Sequence, residues 1–157
     1  MAGHPSTPVS LVSYTAVDYH HRCGVKIGIT QRAQRAAKSG PVDTALNRER
    51  KIRVAADQIV AQNVETPERA QMLALINALR LARQSITQRY SKTTPIQNVT
   101  IYCNSPSVVH RVNFYINDPS KVPRKVVSTR DQAMIKRVIK QFEKLARHSH
   151  EVSISFG

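Results

Sequence analysis

The spacing of apolar residues divides the chain into short strands and longer helices. Residues 11–15 and 24–29 are rich in β-branched and aromatic side chains, and residues 52–64 resemble a further strand followed by a loop. Residues 99–103 are short and almost wholly apolar, which is typical of a central parallel strand. Residues 151–156 alternate apolar and polar side chains, so a last strand is expected there.

Three segments between these strands have the 3.6-residue spacing of amphipathic helices. Thr66 and Ser105 each place a hydroxyl before a proline, which is the residue pair expected at an N-cap and first helical position. The first helix is predicted to end near Tyr90, and the last is marked by apolar residues between positions 135 and 145. The order β-β-β-α-β-α-α-β predicts an α/β fold, with a mixed five-stranded sheet flanked by helices.

The 157 residues suit a single domain. Residues 1–9 are expected to form a flexible arm and residues 10–157 one domain, with a basic insertion at about 31–51 that is briefly helical around 31–38. The start of the chain lacks a basic segment followed by an apolar one, and no run of about 18 apolar residues occurs. An intracellular protein, cytoplasmic or nuclear, without membrane contact is therefore expected.

The charge of the chain changes this picture most. Lys and Arg number 24 against 10 Asp and Glu, giving a net charge of +14, which favours polyanionic partners. Nucleic acid is the favoured partner, and an acidic protein is the alternative. Aromatic residues make up 5% of the chain and Trp is absent, so recognition of a duplex by its backbone and shape is favoured over stacking on single strands.

The last predicted helix concentrates this charge on the side opposite its apolar face. Lysines recur there every four residues, and between positions 121 and 147 only Asp131 and Glu143 are acidic. Such an imbalance favours a phosphate-facing stripe over an ordinary solvated face. The stripe consists of Lys136, Arg137, Lys140, Lys144 and Arg147.

Other side chains with possible chemistry have simpler explanations. His20, His21 and Cys23 are close in sequence but lack a fourth zinc ligand at suitable spacing, so a solvated loop is favoured over a metal site. Cys103, at the end of an apolar strand, is expected to be a core residue rather than a nucleophile. No cofactor is expected.

Two motifs resemble those of the ribonuclease H family. Residues 66–79, TPERAQMLALINAL, are similar to that family's first long helix, T-N-x-R-A-E-L-x-A-[LV]-x-x-A-L. Residues 99–105, VTIYCNS, are similar to its V-x-I-x-T-D-S strand and turn, and residues 14–16 match a further aromatic-Thr-Asp motif less closely. The resemblance spans about residues 10–156 and implies a ribonuclease H-like fold.

The resemblance also implies that catalysis has been lost. The family holds two Mg²⁺ ions with carboxylates, because divalent ions of this kind need anionic oxygen ligands. The matching positions here are Ala16, Gln71 and Asn104, and the family's fourth carboxylate has no counterpart before the end of this sequence. A protein without metal or cofactor is therefore expected. The alternative is an active nuclease whose displaced acids are Asp18, Glu65 or Glu68.

Three functions follow. The first is a non-catalytic protein that binds RNA or an RNA-containing duplex through its backbone. The second is a structural or assembly protein that uses the fold as a scaffold, with an acidic protein or a second copy as partner, and the third is the active nuclease. Arg69 is retained from the family motif and also has a structural explanation, as the partner of a carboxylate or carbonyl. The expected nucleic-acid contacts are Arg32, Arg35, Lys38, Arg69, Lys136, Arg137, Lys140, Lys144 and Arg147.

Overall fold

The computed structural model describes residues 9–20, 24–35, 52–61, 66–87, 96–121, 129–149 and 151–157. Within these ranges the elements follow the predicted order, with one added turn of 3₁₀-helix at Pro119–Lys121. The strands are β1 (Val9–His20), β2 (Gly24–Arg35), β3 (Ile52–Ala61), β4 (Ile96–Cys103) and β5 (Glu151–Phe156). The helices are α1 (Pro67–Ser85), α2 (Pro106–Asn117) and α3 (Thr129–Ala146).

The described strands form one mixed sheet of five strands in the order β3-β2-β1-β4-β5. β1 pairs antiparallel with β2, and β2 pairs antiparallel with β3. β4 lies parallel to both β1 and β5. The sequence therefore predicted the fold class and the element order correctly.

Both predicted helix starts are confirmed by their caps. The Thr66 hydroxyl accepts a hydrogen bond from the Arg69 backbone N–H at 3.2 Å, and the Ser105 hydroxyl accepts one from Val108 N–H at 3.5 Å. Each cap satisfies one of the backbone donors that a helix leaves unpaired at its start. These local bonds explain why the two hydroxyl–proline pairs locate the helices so well.

The α-helical part of α1 ends at Ser85, and the predicted end near Tyr90 lies outside the described ranges. The buried Ile86 follows directly and is part of the core. The Thr87 hydroxyl then donates hydrogen bonds to the carbonyl oxygens of Arg83 and Gln84, at 3.0 and 3.2 Å. These bonds satisfy carbonyls that a longer helix would have used.

Three strands are longer than the sequence indicated, and β4 starts at Ile96 rather than at Val99. β1 continues through Asp18 to His20, so the predicted polar loop starts later than expected. β2 continues to Arg35, and the helical stretch predicted around residues 31–38 is wrong over its first five positions. The cause is Gln31, which is buried beneath α1 and accepts a hydrogen bond from the Ser85 hydroxyl at 2.7 Å. The rest of the insertion, 36–51, and residues 1–8 of the arm lie outside the described ranges.

The core lies between one face of the sheet and the helices. α1 packs across β1, β2 and β4, and α3 lies along α1. None of the helices in the described ranges is long and apolar enough to cross a bilayer. The largest fully buried side chains include Leu11, Ile27, Ile29, Leu75, Leu79, Ile101, Ile135 and Leu145.

Candidate functional site

The three positions that match the family's metal-binding acids lie at one end of the sheet. β1 and β4 run parallel, and their pairing ends with Tyr14 opposite Tyr102. Ala16 lies two residues beyond that pair on β1, and Asn104 follows the last residue of β4. Gln71 lies near the start of α1, which packs over these strands.

At this end of the sheet, the Gln71 side chain is hydrogen-bonded to a residue other than Ala16 and Asn104. The buried Cys103 thiol donates a hydrogen bond to Gln71 Oε1 at 3.4 Å. Beside it, the Thr15 hydroxyl donates to the Tyr102 carbonyl oxygen at 3.0 Å. Ala16 alternates with the buried Thr15 and is exposed, so its methyl group points to the other face of the sheet. The structure thus brings Gln71 to Cys103 and leaves Ala16 across the sheet.

Cys103 behaves as the core residue that the sequence predicted. Burial raises the pKa of its thiol, and this outweighs hydrogen bonds from the Ser105 backbone and the Thr15 side chain, which lower it. A thiol with a raised pKa stays protonated near neutral pH, and only the thiolate is strongly nucleophilic. Cys103 therefore serves as a hydrogen-bond donor to Gln71.

The side chains at this end do not fit a pair of divalent cations. A methyl group and two neutral amides offer no anionic oxygen, and the Gln71 oxygen already accepts the Cys103 donor. Across the described ranges, no three His, Cys, Asp or Glu side chains lie close enough together to share a metal ion. We therefore derive no metal-dependent step for these residues.

The rival acids in the described ranges are exposed and have basic neighbours. Asp18 is exposed and opposite Lys26 on β2, about 7 Å further along β1 than Ala16. Glu68 is exposed, and its carboxylate lies 3.7 Å from Arg111 Nη1 on α2. Its place in the first turn of α1 also suits the helix dipole. Glu65 lies outside the described ranges.

Arg69 has the structural partner that the sequence suggested. Its Nε lies 2.6 Å from Asp131 Oδ1, and the two side chains are only 13% and 23% exposed. This charge-assisted hydrogen bond joins the start of α1 to the start of α3. A contact between Arg69 and nucleic acid stays a prediction.

A second candidate site lies at the opposite end of α1 and α3. Lys136, Arg137 and Lys140 on α3 are exposed, and so is Arg147, which directly follows the helix. The pKa of Lys144 is lowered, first by desolvation and then by the charges of Lys140, Arg83, Arg147 and Arg80. Cations of both helices therefore act on one ammonium group. We call this group of five residues the cationic surface: Arg80, Arg83, Lys140, Lys144 and Arg147.

The packing of the two helices explains how this surface forms. The Arg69–Asp131 pair joins their starts and the cationic surface joins their ends, so α1 and α3 run side by side in the same direction. Cations at helix ends are favoured by the helix dipole, by about 0.3–1 kcal/mol each. That benefit explains single residues such as Arg83, but it does not explain why two helices bring their cations together.

Sequence reasoning found the α3 half of this surface and missed the α1 half. Arg80 and Arg83 are spaced three residues apart, away from the buried Leu79 and Ala82. That spacing was a readable signal, but only the packing of α1 on α3 shows that it continues the lysine stripe. Glu143 is the acid on the same side of α3, and it is exposed.

The remaining predicted contacts lie elsewhere. Arg32 is exposed on β2 and alternates with Gln31 and Ala33, which are buried towards α1. It therefore lies on the opposite face of the sheet and apart from the cationic surface. The backbone of Arg35 ends β2. Lys38 and residues 21–23, with His21 and Cys23, lie outside the described ranges.

Comparison with known proteins identifies the architecture. No protein-family model and no curated protein matches the sequence. Among solved structures, the chain is similar to the foamy viral protease-reverse transcriptase in complex with RNA/DNA hybrid, with a TM-score of 0.55 and 15% identity over 96% of this chain. It spans only 18% of that viral protein.

Two separate ribonuclease H structures agree with this match. The solution structure of the PFV RNase H domain has a TM-score of 0.52 and 11% identity, over 97% of this chain and 79% of that one. A type 1 RNase H with the type 2 active-site motif has a TM-score of 0.54 and 16% identity, over 99% and 65%. Identities this low establish the architecture alone. The chain has a ribonuclease H-like fold.

Proposed function

We propose that this chain is a non-catalytic protein that binds RNA, or a duplex containing RNA, through the phosphate backbone. The observation that carries the proposal is the cationic surface, in which four cations, Arg80, Arg83, Lys140 and Arg147, lie around Lys144, whose pKa is lowered first by desolvation and then by their charges. Such an excess of cations gains free energy on binding a duplex, because the cations displace counterions condensed on its phosphates. The net charge of +14 favours the same class of partner.

The shape of the cationic surface supports a duplex backbone as the ligand. Lys140 and Lys144 of this surface continue a stripe that begins at Lys136, with intervals of about 6 Å along α3, and the α1 arginines widen the stripe sideways. Lysine and arginine on rigid helices contact phosphates without reading bases, so little sequence preference is expected. One of the similar solved structures is a complex with RNA/DNA hybrid, which supports nucleic acid as the general class of partner.

The absence of catalysis is supported by the chemistry at the other end of α1. Ala16, Gln71 and Asn104 carry no charge, and the two-metal mechanism needs several anionic oxygens at once. The Gln71 amide is hydrogen-bonded to a buried thiol, an arrangement suited to packing rather than to cation binding.

The test is the salt dependence of binding to duplex RNA, RNA–DNA hybrid and duplex DNA, measured by fluorescence anisotropy. The variant Lys136→Gln/Lys140→Gln/Lys144→Gln removes three charges while keeping good helix formers. Its log–log salt slope is expected to shrink by about 2–3 units, because each lost phosphate contact removes about 0.7–0.9. The core residues Ile135, Val138 and Leu145 lie on the other side of α3, so the fold should survive.

A matched control removes the same total charge elsewhere. Lys26→Gln/Arg111→Gln/Lys121→Gln changes three cations of β2, α2 and the 3₁₀ turn, away from the cationic surface. Its slope is expected to stay close to that of the parent. If the salt slope decreased equally in both variants, the binding would depend on net charge alone and not on the cationic surface. No binding by the parent at low salt would instead favour an assembly protein with an acidic partner.

A further inference from the structure

The face of the sheet opposite the helices is lined by side chains that the proposed function does not use. Along β1, the buried Leu11, Ser13 and Thr15 alternate with residues that are partly or fully exposed. The same alternation holds on the paired strands, since cross-strand partners share a face. We call this the open face, and none of its described members is buried. They are Val12, Tyr14, Ala16, Asp18, Lys26, Gly28, Thr30, Arg32, Asn98, Thr100, Tyr102, Ser153 and Ser155.

Two tyrosines stack at the centre of the open face. Tyr14 on β1 and Tyr102 on β4 are direct partners in the parallel pairing, although they are distant in sequence. Their ring centroids lie 5.2 Å apart with planes inclined by 16°, and Tyr14 is 48% exposed. The two rings are fixed on the sheet and partly exposed to solvent, so a planar ligand can stack on them.

Two small residues lie next to the tyrosine pair on the open face. Ala16 on β1 is opposite Gly28 on β2, two residues further along than the pair formed by Tyr14 and Thr30, and we call Ala16 and Gly28 the shelf. A Cβ atom built on Gly28 would meet no atom within 4 Å, so the space above β2 is open. The side of Tyr102 away from Tyr14 is narrower, because a Cβ atom on Gly157 would lie 2.6 Å from its ring. A planar group would therefore stack on the outer side of Tyr14, above the shelf.

The polar groups around the rings suit a nucleotide. Arg32 lies diagonally across from Tyr14 on β2, at about 7–8 Å between the backbones, which is within reach of its long side chain. Thr30 is opposite Tyr14, Ser155 is opposite Tyr102, and both carry hydroxyls. The acids Asp18 and Glu151 lie at the far ends of this face, about 13 Å from the rings. Among the described residues of the open face, the charge nearest to the tyrosines is therefore the positive charge of Arg32.

We propose that the open face binds single-stranded RNA, with one base stacked on Tyr14 and the adjoining phosphate held by Arg32. Exposed aromatic rings beside a guanidinium bind unpaired bases with little sequence preference. Unpaired RNA presents its base faces and 2′-hydroxyls, which the hydroxyl-lined face can meet. This site lies on the opposite side of the sheet from α1 and α3, so the protein would hold a duplex and a single strand on different surfaces.

The test measures binding of a labelled ten-nucleotide uridine oligomer to the full chain, in the Lys136→Gln/Lys140→Gln/Lys144→Gln background to reduce binding elsewhere. Tyr14→Ala is expected to lower the affinity about tenfold, since stacking on an aromatic side chain is lost. Tyr14→Phe retains the ring and should stay within about twofold of the background protein. The corresponding deoxyuridine oligomer separates RNA from DNA, and RNA is expected to bind more tightly.

A second variant keeps the proposal testable if Tyr14→Ala weakens the fold. Gly28→Glu places a negative side chain in the open space of the shelf, where the structure has room for it. It should abolish most of the oligomer binding, whereas Gly28→Ser should have little effect. Duplex RNA binding in the parent background should be unchanged by all of these variants, because the cationic surface is not touched.

Several results would overturn the proposal. These are an oligomer affinity that is unchanged in both Tyr14→Ala and Gly28→Glu, no oligomer binding at low salt, or deoxyuridine binding as tightly as uridine. A dimer that dissociates on Gly28→Glu would assign the open face to a second copy of the chain. If the parent protein bound no duplex RNA but bound the uridine oligomer in a way that depends on the Tyr14 ring, the proposed function would be refuted and this inference would stand.

Discussion

The two ends of helix α1 differ in how their polar groups are neutralised. Near its start, Arg69 is paired with Asp131, and Gln71 accepts a hydrogen bond from Cys103. Near its end, about 14–21 Å further along the axis, Arg80 and Arg83 lie close to the cations of α3. The polar groups at the start of α1 have partners within the protein, whereas charges of the same sign lie together at its end. Like charges held together destabilise a fold, so the second end points to an anionic ligand outside the chain.

The comparison also separates the two chemical questions that this fold raises. In a nuclease of this architecture the metal-binding acids would lie near the start of α1, and here the matching positions are the uncharged Ala16, Gln71 and Asn104. The positive charge lies at the far end of the same helix. Binding and cleavage can therefore be tested independently.

The largest effect is expected in catalysis. The purified protein should not cleave an RNA–DNA hybrid in Mg²⁺ or Mn²⁺, because Ala16, Gln71 and Asn104 cannot supply the anionic ligands that two metal ions need. Enzymes accelerate such reactions by many orders of magnitude, so residual activity would be easy to detect on a gel. Metal-dependent cleavage that disappears in Asp18→Asn would show that a displaced carboxylate does the work.

The next effect concerns the stability of the paired end. Asp131→Asn leaves the partly buried Arg69 without its anionic partner and should lower the free energy of unfolding by about 1–3 kcal/mol. Denaturant unfolding followed by circular dichroism measures this. Asp131 lies apart from the cationic surface, so the salt slope for duplex RNA should not change. A stability equal to that of the parent would mean that the ion pair does not hold the two helices together.

The smallest effect is a titration at the cationic end. The pKa of Lys144 in the folded protein is lowered, first by desolvation and then by neighbouring cations. In the alkaline window between this value and that of the unfolded chain, the unfolded state binds more protons, so stability rises with pH through that window. Removing Arg80 and Arg83 should raise the pKa of Lys144 only in part, since desolvation remains.

Nuclear magnetic resonance of the lysine side chain would follow this titration. Duplex RNA should also raise the pKa of Lys144, because phosphate stabilises the ammonium form. Lys121, which lies over the Phe114 ring, is a control on another surface and should not respond to the duplex. If neither the Arg80→Gln/Arg83→Gln variant nor the duplex changed the pKa of Lys144, the inference that α1 and α3 form one cationic surface would be contradicted.

The sequence predicted the parts of the fold that depend on local signals. Thr66 and Ser105 marked the helix starts because capping is made by neighbours in the chain. Gln31 misled the reading of β2, because a buried polar residue hides the alternation that Ile27, Ile29 and Ala33 otherwise show. The hydrogen bond that the Gln31 side-chain oxygen accepts comes from Ser85, on a distant helix.

The candidate sites show the same limit. The lysine stripe of α3 was visible from its four-residue spacing, whereas its continuation by Arg80 and Arg83 depends on how α1 packs on α3. Composition argued against a stacking platform, since few aromatic residues are present. The sheet nonetheless brings Tyr14 and Tyr102 together from distant positions, which no count of residues can show.

The most direct test of the account is the salt dependence of duplex RNA affinity in the parent and in Arg80→Gln/Arg83→Gln. These arginines are implicated only by the packing of α1 on α3, so they test whether the two helices form one phosphate-binding surface. The account predicts a log–log slope smaller by up to about 2 units, with the free energy of unfolding maintained. A slope identical to that of the parent would contradict it.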